Sequence, residues 1–144
     1  MTITFWSPDA PKKTEIVTCL CCDGTGKIGD DDCLDCEEGL SLQVVSSLPE
    51  INMANGNATA YLKQLNPAGA CPPCGTWLPG VLPAILRKVQ ALQADPYPLV
   101  TADQYHSASY YVMGRTEESV RNRLAQFITL LQGAIDGNYK IVWN

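Results

Sequence analysis

A chain of 144 residues and 15.6 kDa has room for one domain with a buried core and a small appendage, but not for two full domains. Ten lysines and arginines against 15 aspartates and glutamates leave a net charge of −5, which removes any general electrostatic attraction to a phosphate backbone; a single histidine excludes sites built from two or more imidazoles. The hydrophobic fraction of 46% and charged fraction of 17% are those of a folded globular protein, and seven cysteines, odd in number and gathered in close pairs, suit a metal site in a reducing compartment better than a secreted disulfide framework.

Along the chain, residues 1–6 carry no early basic residue and no apolar run of signal-peptide length, and no stretch reaches the roughly 18 apolar residues of a spanning helix. The expectation is a cytoplasmic protein with no membrane segment. Residues 2–6 alternate and are β-prone until Ser7, Pro8, Asp9 and Pro11 interrupt them. Residues 13–18 and 40–45 have strand character and flank the densest cysteine stretch, so they are expected to form the two arms of a hairpin with the cysteines at its tip. Ala58, Tyr61, Leu62 and Leu65 fall at helical spacing, with Asn57 as a candidate cap and Asn66-Pro67 as the stop. Leu82, Ile85, Leu86, Val89 and Leu92 mark a second helix, with Pro83 acceptable only in its first turn and Asp95-Pro96 as its end.

Residues 101–113 read as a short helix followed by an extended piece. The last helix has a full set of signals: Thr116 as cap, Glu117 and Glu118 at the positive end of the dipole, and Val120, Leu124, Phe127, Ile128, Leu131 and Ile135 as the buried stripe. Asp136-Gly137-Asn138 ends it. Residues 139–143 then alternate as a final strand, able to pair with Asn52-Met53 or with the N-terminal strand. The expected architecture is α+β, a small helical core with a few antiparallel strands and a zinc-stapled β-hairpin. The expected division is residues 1–48 for the N-terminal strand and hairpin, and 49–144 for the core domain. There is no internal repeat and no low-complexity tract.

The chemistry concentrates in residues 19–39, which hold five cysteines and four glycines. Cys19-Leu-Cys-Cys22-Asp-Gly-Thr-Gly26 contains CxxCxGxG, and Cys33-Leu-Asp-Cys36 supplies a second CxxC ten residues later. Four thiolates in two pairs match a tetrahedral zinc ion, because each CxxC turn places two sulfurs on one side of a tight knuckle. Gly24 and Gly26 can take positive φ, which lets backbone N–H groups turn back toward the charged sulfurs. Cys21 reads as a spectator thiol, or as a competitor with Cys19 for one coordination position. Asp30, Asp31, Asp32, Asp35, Glu37 and Glu38 surround the site, either as a solvated loop or as an acidic docking surface.

These knuckles resemble the cysteine-rich zinc-binding region of DnaJ-type co-chaperones and of the small anti-TRAP regulator. The resemblance covers about 21 of the 144 residues. It implies one zinc ion on Cys19, Cys22, Cys33 and Cys36. The second knuckle departs from the pattern, since Gly39 lies one position later than the first CxG glycine would. No His-Pro-Asp signature is present, so co-chaperone activity does not follow. Residues 51–144 resemble, through looser motifs, short bacterial and phage proteins of uncharacterised function, which implies an α+β scaffold and brings no activity.

The remaining candidates are weaker. Cys71-Pro-Pro-Cys74 invites a thiol-disulfide reading, but no βαβ unit precedes it and the next helix starts several residues later. His106 lacks a nucleophile elbow or a carboxylate at a telling spacing. Gly24-Thr-Gly-Lys27 is too short for a phosphate loop. Arg115, Arg121 and Arg123 read as a solvated basic face, and Tyr105, Tyr110, Tyr111 and Trp143 as core. The functional reading is a non-enzymatic zinc protein with a structural ion and a protein partner. The alternatives are an oxidoreductase using Cys71 and Cys74, or nucleic-acid binding through the knuckle, which the acidic balance opposes.

Overall fold

The computed structural model describes residues 2–66, 69, 72–101, 105–107, 110–112 and 115–144, with the side chains of 105–107 and 110–112 left aside. In chain order its elements are β1 (Thr2–Trp6), β2 (Lys12–Thr18), β3 (Lys27–Ile28), β4 (Asp31–Asp32), β5 (Leu40–Ser46), β6 (Ile51–Ala54), α1 (Asn55–Leu65), β7 (Gly75–Trp77), α2 (Leu82–Ala94), β8 (Tyr105–Ser107), β9 (Tyr110–Val112), α3 (Glu117–Asp136) and β10 (Ile141–Trp143). The fold class is α+β. Among the described residues, no helix is long and apolar enough to cross a membrane.

The chain divides into two units, one of residues 1–10 and 48–144, the other of residues 11–47. In the first, an antiparallel sheet runs in the order β6-β1-β10-β7. Its strands alternate strictly: Ile3, Phe5, Ile51, Met53, Trp77, Ile141 and Trp143 are buried, while Asn52 and Thr76 on the opposite pleat are exposed. Helix α1 lies against β1 and β6, α3 against β6, and α2 packs on both α1 and α3. Each helix turns one apolar stripe inward, with Tyr61, Leu62 and Leu65 from α1, Ile85 and Val89 from α2, and Leu124, Phe127 and Leu131 from α3.

The centre of this core is aromatic. The Phe5 ring meets Phe127 edge-on at 5.1 Å and stacks on Trp77 at 5.9 Å and Trp143 at 6.0 Å, while Tyr61 stacks on the other side of Phe127 at 5.7 Å. One residue of β1 thereby joins two other strands to the longest helix. The helix ends follow local chemistry: Thr116 caps α3 by accepting from the Ser119 N–H at 3.2 Å, and Pro83 sits in the first turn of α2.

Three expectations are corrected. The N-terminal strand was assigned with the hairpin in a 1–48 unit, but β1 is an inner strand of the core sheet, paired with β6 and β10. Asn57 does not cap α1. The cap position is Ala54 without a side-chain bond, and Asn57 lies in the first turn, where its Oδ1 accepts from Arg115 Nη1 at 3.2 Å. The short helix in residues 101–113 is replaced, where described, by a ladder of β8 with β9. Tyr-His-Ser and Tyr-Tyr-Val favour a pleated surface once each finds a partner strand. The extended piece expected after that helix is found at Tyr110–Val112, and residues 102–104, 108, 109 and 113 lie outside the described residues. The final strand pairs with the N-terminal strand, one of its two expected partners, and its other neighbour is β7, a three-residue strand too short to carry a pattern of its own.

Replacing Phe127 with Ala removes the ring between Phe5 and Tyr61 and should lower stability by about 3–5 kcal/mol in a denaturant titration. Because residues 11–47 form a separate unit, bound metal per chain should be unchanged by that substitution under native conditions.

Candidate metal centre

The second unit is an extended hairpin. Strands β2 and β5 pair in full register from Lys12 opposite Ser46 to Thr18 opposite Leu40, and the short ladder of β3 with β4 forms the tip. A two-stranded ladder buries little apolar surface and is marginal by itself. The described side chains bear this out: Ile16, Leu40, Leu42 and Val44 are all more than half exposed. The compact part of the unit lies instead between the ladders, where Cys19, Cys22 and Cys33 are buried and Cys36 packs beside them.

Two knuckles build this cluster, and their backbones cross-brace. The Cys19 N–H donates to the Gly39 carbonyl at 2.8 Å, and the Cys33 N–H donates to the Gly26 carbonyl at 2.8 Å, so the first cysteine of each knuckle is held by a glycine of the other. The first knuckle is tightened further by Thr25, whose hydroxyl donates to the Cys22 carbonyl at 2.7 Å and accepts from the Lys27 N–H. Thr25 escaped the sequence reading; its position between the two glycines of CxGxG was the available signal.

The misplaced glycine of the second knuckle has a structural explanation. After Cys22, Asp23 and Gly24 occupy the left-handed region with φ of 48° and 78°; after Cys36, the corresponding pair is Glu38 and Gly39, with φ of 49° and 87°. The same two-residue left-handed turn is made one residue later. Gly39 and Gly24 then pack backbone to backbone, and a Cβ on Gly39 would collide with the Gly24 carbonyl. Both the sign of φ and the absence of space therefore require glycine at position 39.

The four sulfurs meet at metal-ligand spacing. Cys19 Sγ lies 3.9 Å from Cys33 Sγ, Cys22 Sγ lies 3.6 Å from Cys36 Sγ, and all four fall within 4.8 Å of one another. A tetrahedral ion with bonds of about 2.3 Å to sulfur requires an edge of about 3.8 Å. The donor set thus fits a soft, tetrahedral ion. Cys21 stands outside this group and is exposed, which removes it from competition with Cys19; its Sγ instead groups with Asp35 and Cys33.

The thiols influence one another strongly. Burial pushes Cys22 up, but the Gly26 N–H, donating to its sulfur at 3.3 Å, and the thiols of Cys36, Cys19 and Cys33 outweigh it and bring Cys22 down to about 7. Burial and the same neighbours push Cys36 up to about 12. For Cys33, the Asp35 N–H favours the thiolate, yet burial and the thiols of Cys19 and Cys22 leave it raised. Cys21 rises to about 11 because its thiol donates to the Asp35 carboxylate, whose charge adds to the effect. Cys22 therefore ionises more readily than Cys33 and Cys36 in the metal-free cluster.

Other sequence candidates fall elsewhere. Asp30, Asp31, Asp32, Asp35, Glu37 and Glu38 are all exposed around the cluster. Cys74 is an exposed free thiol, and Cys71 lies outside the described residues, as does the side chain of His106. Comparison with protein-family models, curated proteins and solved structures finds no match to this chain.

Two outcomes follow from the geometry. Gly39→Ala should weaken metal binding at least tenfold in a chelator competition, since a strained φ alone costs about 1–3 kcal/mol before the backbone collision is added. Because binding must displace the protons held by Cys33 and Cys36, metal affinity should rise with pH and be lower at pH 6 than at pH 8, with protons released on binding in an unbuffered titration.

Proposed function

We propose that this chain is a non-enzymatic zinc protein in which one structural Zn²⁺, held by Cys19, Cys22, Cys33 and Cys36, staples a hairpin that serves as a protein-interaction or regulatory module. The observation that carries the reading is the pair of sulfur separations, 3.6 and 3.9 Å, on the edge length of a tetrahedral thiolate site. The resemblance of the knuckles to the DnaJ-type zinc-binding region supports the same ion. Four sulfur ligands leave no open position for a water, so the ion's role is to fold the hairpin rather than to activate a nucleophile.

The interaction role is supported by the hairpin surface. Ile16 pairs with Leu42, and Val44 and Leu40 flank Leu42 on the same pleat, so four apolar side chains, 51–74% exposed, form one row with Glu37 and Glu38 at its end. A contiguous exposed apolar row on a small protein marks a surface that a partner covers. The exposed acidic residues nearby would repel a nucleic-acid backbone.

The purified 144-residue chain should contain one equivalent of zinc by elemental analysis, and Cys22→Ser should lose it; unchanged zinc in that variant would sink the assignment. Chelation should abolish hydrogen-exchange protection across residues 11–47 while leaving α2 and α3 protected. A partner that binds this row should be released both by Leu42→Asp and by chelator.

A further inference from the structure

The basic face read from Arg115, Arg121 and Arg123 separates in the structure. Arg121 turns along its own helix to Glu117, with its Nη2 2.9 Å from the carboxylate, and across to the Gln93 carbonyl of α2. Arg115 and Arg123 instead line a small cavity of about 90 Å³, together with Met53, Asn57, Tyr61 and Ser119. This cavity lies wholly within the first unit, on side chains from β6, α1 and the first two turns of α3, far in sequence from the cysteine cluster.

Three features make this more than a pair of surface arginines. Arg115 is fixed in place: its Nε donates to the Leu99 carbonyl at 2.6 Å, its Nη1 to Asn57 Oδ1 at 3.2 Å, and its backbone exchanges bonds with Thr101. A held guanidinium is preorganised for a ligand, with less rotamer freedom left to lose. Second, the acceptors of both guanidiniums among the described residues are neutral, Leu99 O and Asn57 Oδ1 for Arg115 and Gln126 Oε1 for Arg123, and among those residues neither forms an ion pair. None of the six lining side chains is a carboxylate. Third, the cavity adds a hydroxyl group. Tyr61 is buried with its phenol in the field of both arginines, which oppose the upward push of burial on its pKa, while the Ser119 hydroxyl on the other side donates to the Thr116 carbonyl at 2.9 Å.

We infer that the cavity between β6, α1 and α3 binds one phosphoryl group, through the guanidiniums of Arg115 and Arg123 and the hydroxyl of Tyr61. The size sets the class. At about 90 Å³ the cavity matches a single oxyanion head rather than a nucleoside or a sugar. The donor arrangement also selects the anion. A planar carboxylate is satisfied by one guanidinium fork, whereas two guanidiniums and a phenol hydroxyl arriving from α1, α3 and the segment before α3 match the several acceptor oxygens of a tetrahedral dianion. In a protein of charge −5, a cavity with two arginines and no carboxylate among its described lining residues is a local exception to the overall field.

The test uses the 144-residue chain, purified with zinc present, and inorganic phosphate, titrated by calorimetry and by ³¹P line broadening, with methyl phosphate and acetate as parallel probes. Single-site saturation by phosphate is expected, with Arg123→Gln weakening it at least tenfold and Arg123→Lys less. Arg123 is the variant of choice because Arg115 braces the entry to α3 and its loss would disturb folding. Circular dichroism and an unchanged melting temperature without phosphate establish that Arg123→Gln is folded. Methyl phosphate binding as well as phosphate identifies a phosphate ester as the ligand; binding of inorganic phosphate alone identifies the free anion, and either outcome supports the site. Non-saturable phosphate binding, equal affinity in folded Arg123→Gln, or acetate binding as tightly as phosphate would overturn the inference.

Discussion

A hairpin that buries almost no apolar surface must be held by something other than the hydrophobic effect, and here that constraint is the requirement that four sulfurs stand about 3.8 Å apart. The features of residues 11–47 follow from it. Two CxxC turns put the thiols on facing knuckles, consecutive left-handed residues at Asp23-Gly24 and Glu38-Gly39 reverse the chain after each, and reciprocal bonds from Cys19 and Cys33 to glycine carbonyls hold the knuckles together. The side chains of β2 and β5 are released from core duty. Their apolar residues face outward, where they can meet a partner without endangering the fold.

The first unit is stabilised by a different force. Its sheet and helices bury one continuous apolar cluster, with Phe5 in contact with Phe127, Trp77 and Trp143 and the two tryptophans in contact with each other. Polar groups enter this unit mainly where chain segments must be fixed to one another: Arg115 ties the start of α3 to Leu99 and Asn57, and the Ser7 hydroxyl donates to the Lys140 carbonyl at 2.8 Å. On the proposed zinc reading, metal removal is a local event, because residues 11–47 form a unit of their own while the apolar cluster lies in the other.

Much of this was legible without coordinates. Thr116, Glu117 and the stripe from Val120 to Leu131 specified α3 because capping, dipole and periodicity act within one turn of the chain. The hairpin arms and the four cysteines were legible for a similar reason: ligand spacing in a knuckle is a local property. Where neighbours in space are distant in sequence, the reading failed. β1 was assigned to the wrong unit, since nothing in Thr2–Trp6 says that its partners are Ile51–Ala54 and Ile141–Trp143. Asn57 looked like a cap because asparagine favours that position, and a guanidinium 58 residues away claimed its oxygen instead.

What the sequence determined by itself was therefore the class of fold, the three helices, and a cluster of four cysteines within a hairpin, because each is encoded by residues within a few positions of one another. Only the tertiary structure decided which strand lies at the centre of the sheet, that Gly39 does the work of Gly24 one residue later, and that Arg115 and Arg123 share a cavity while Arg121 turns away. Those outcomes depend on side chains brought together by burial of a common core, and burial has no preferred sequence separation.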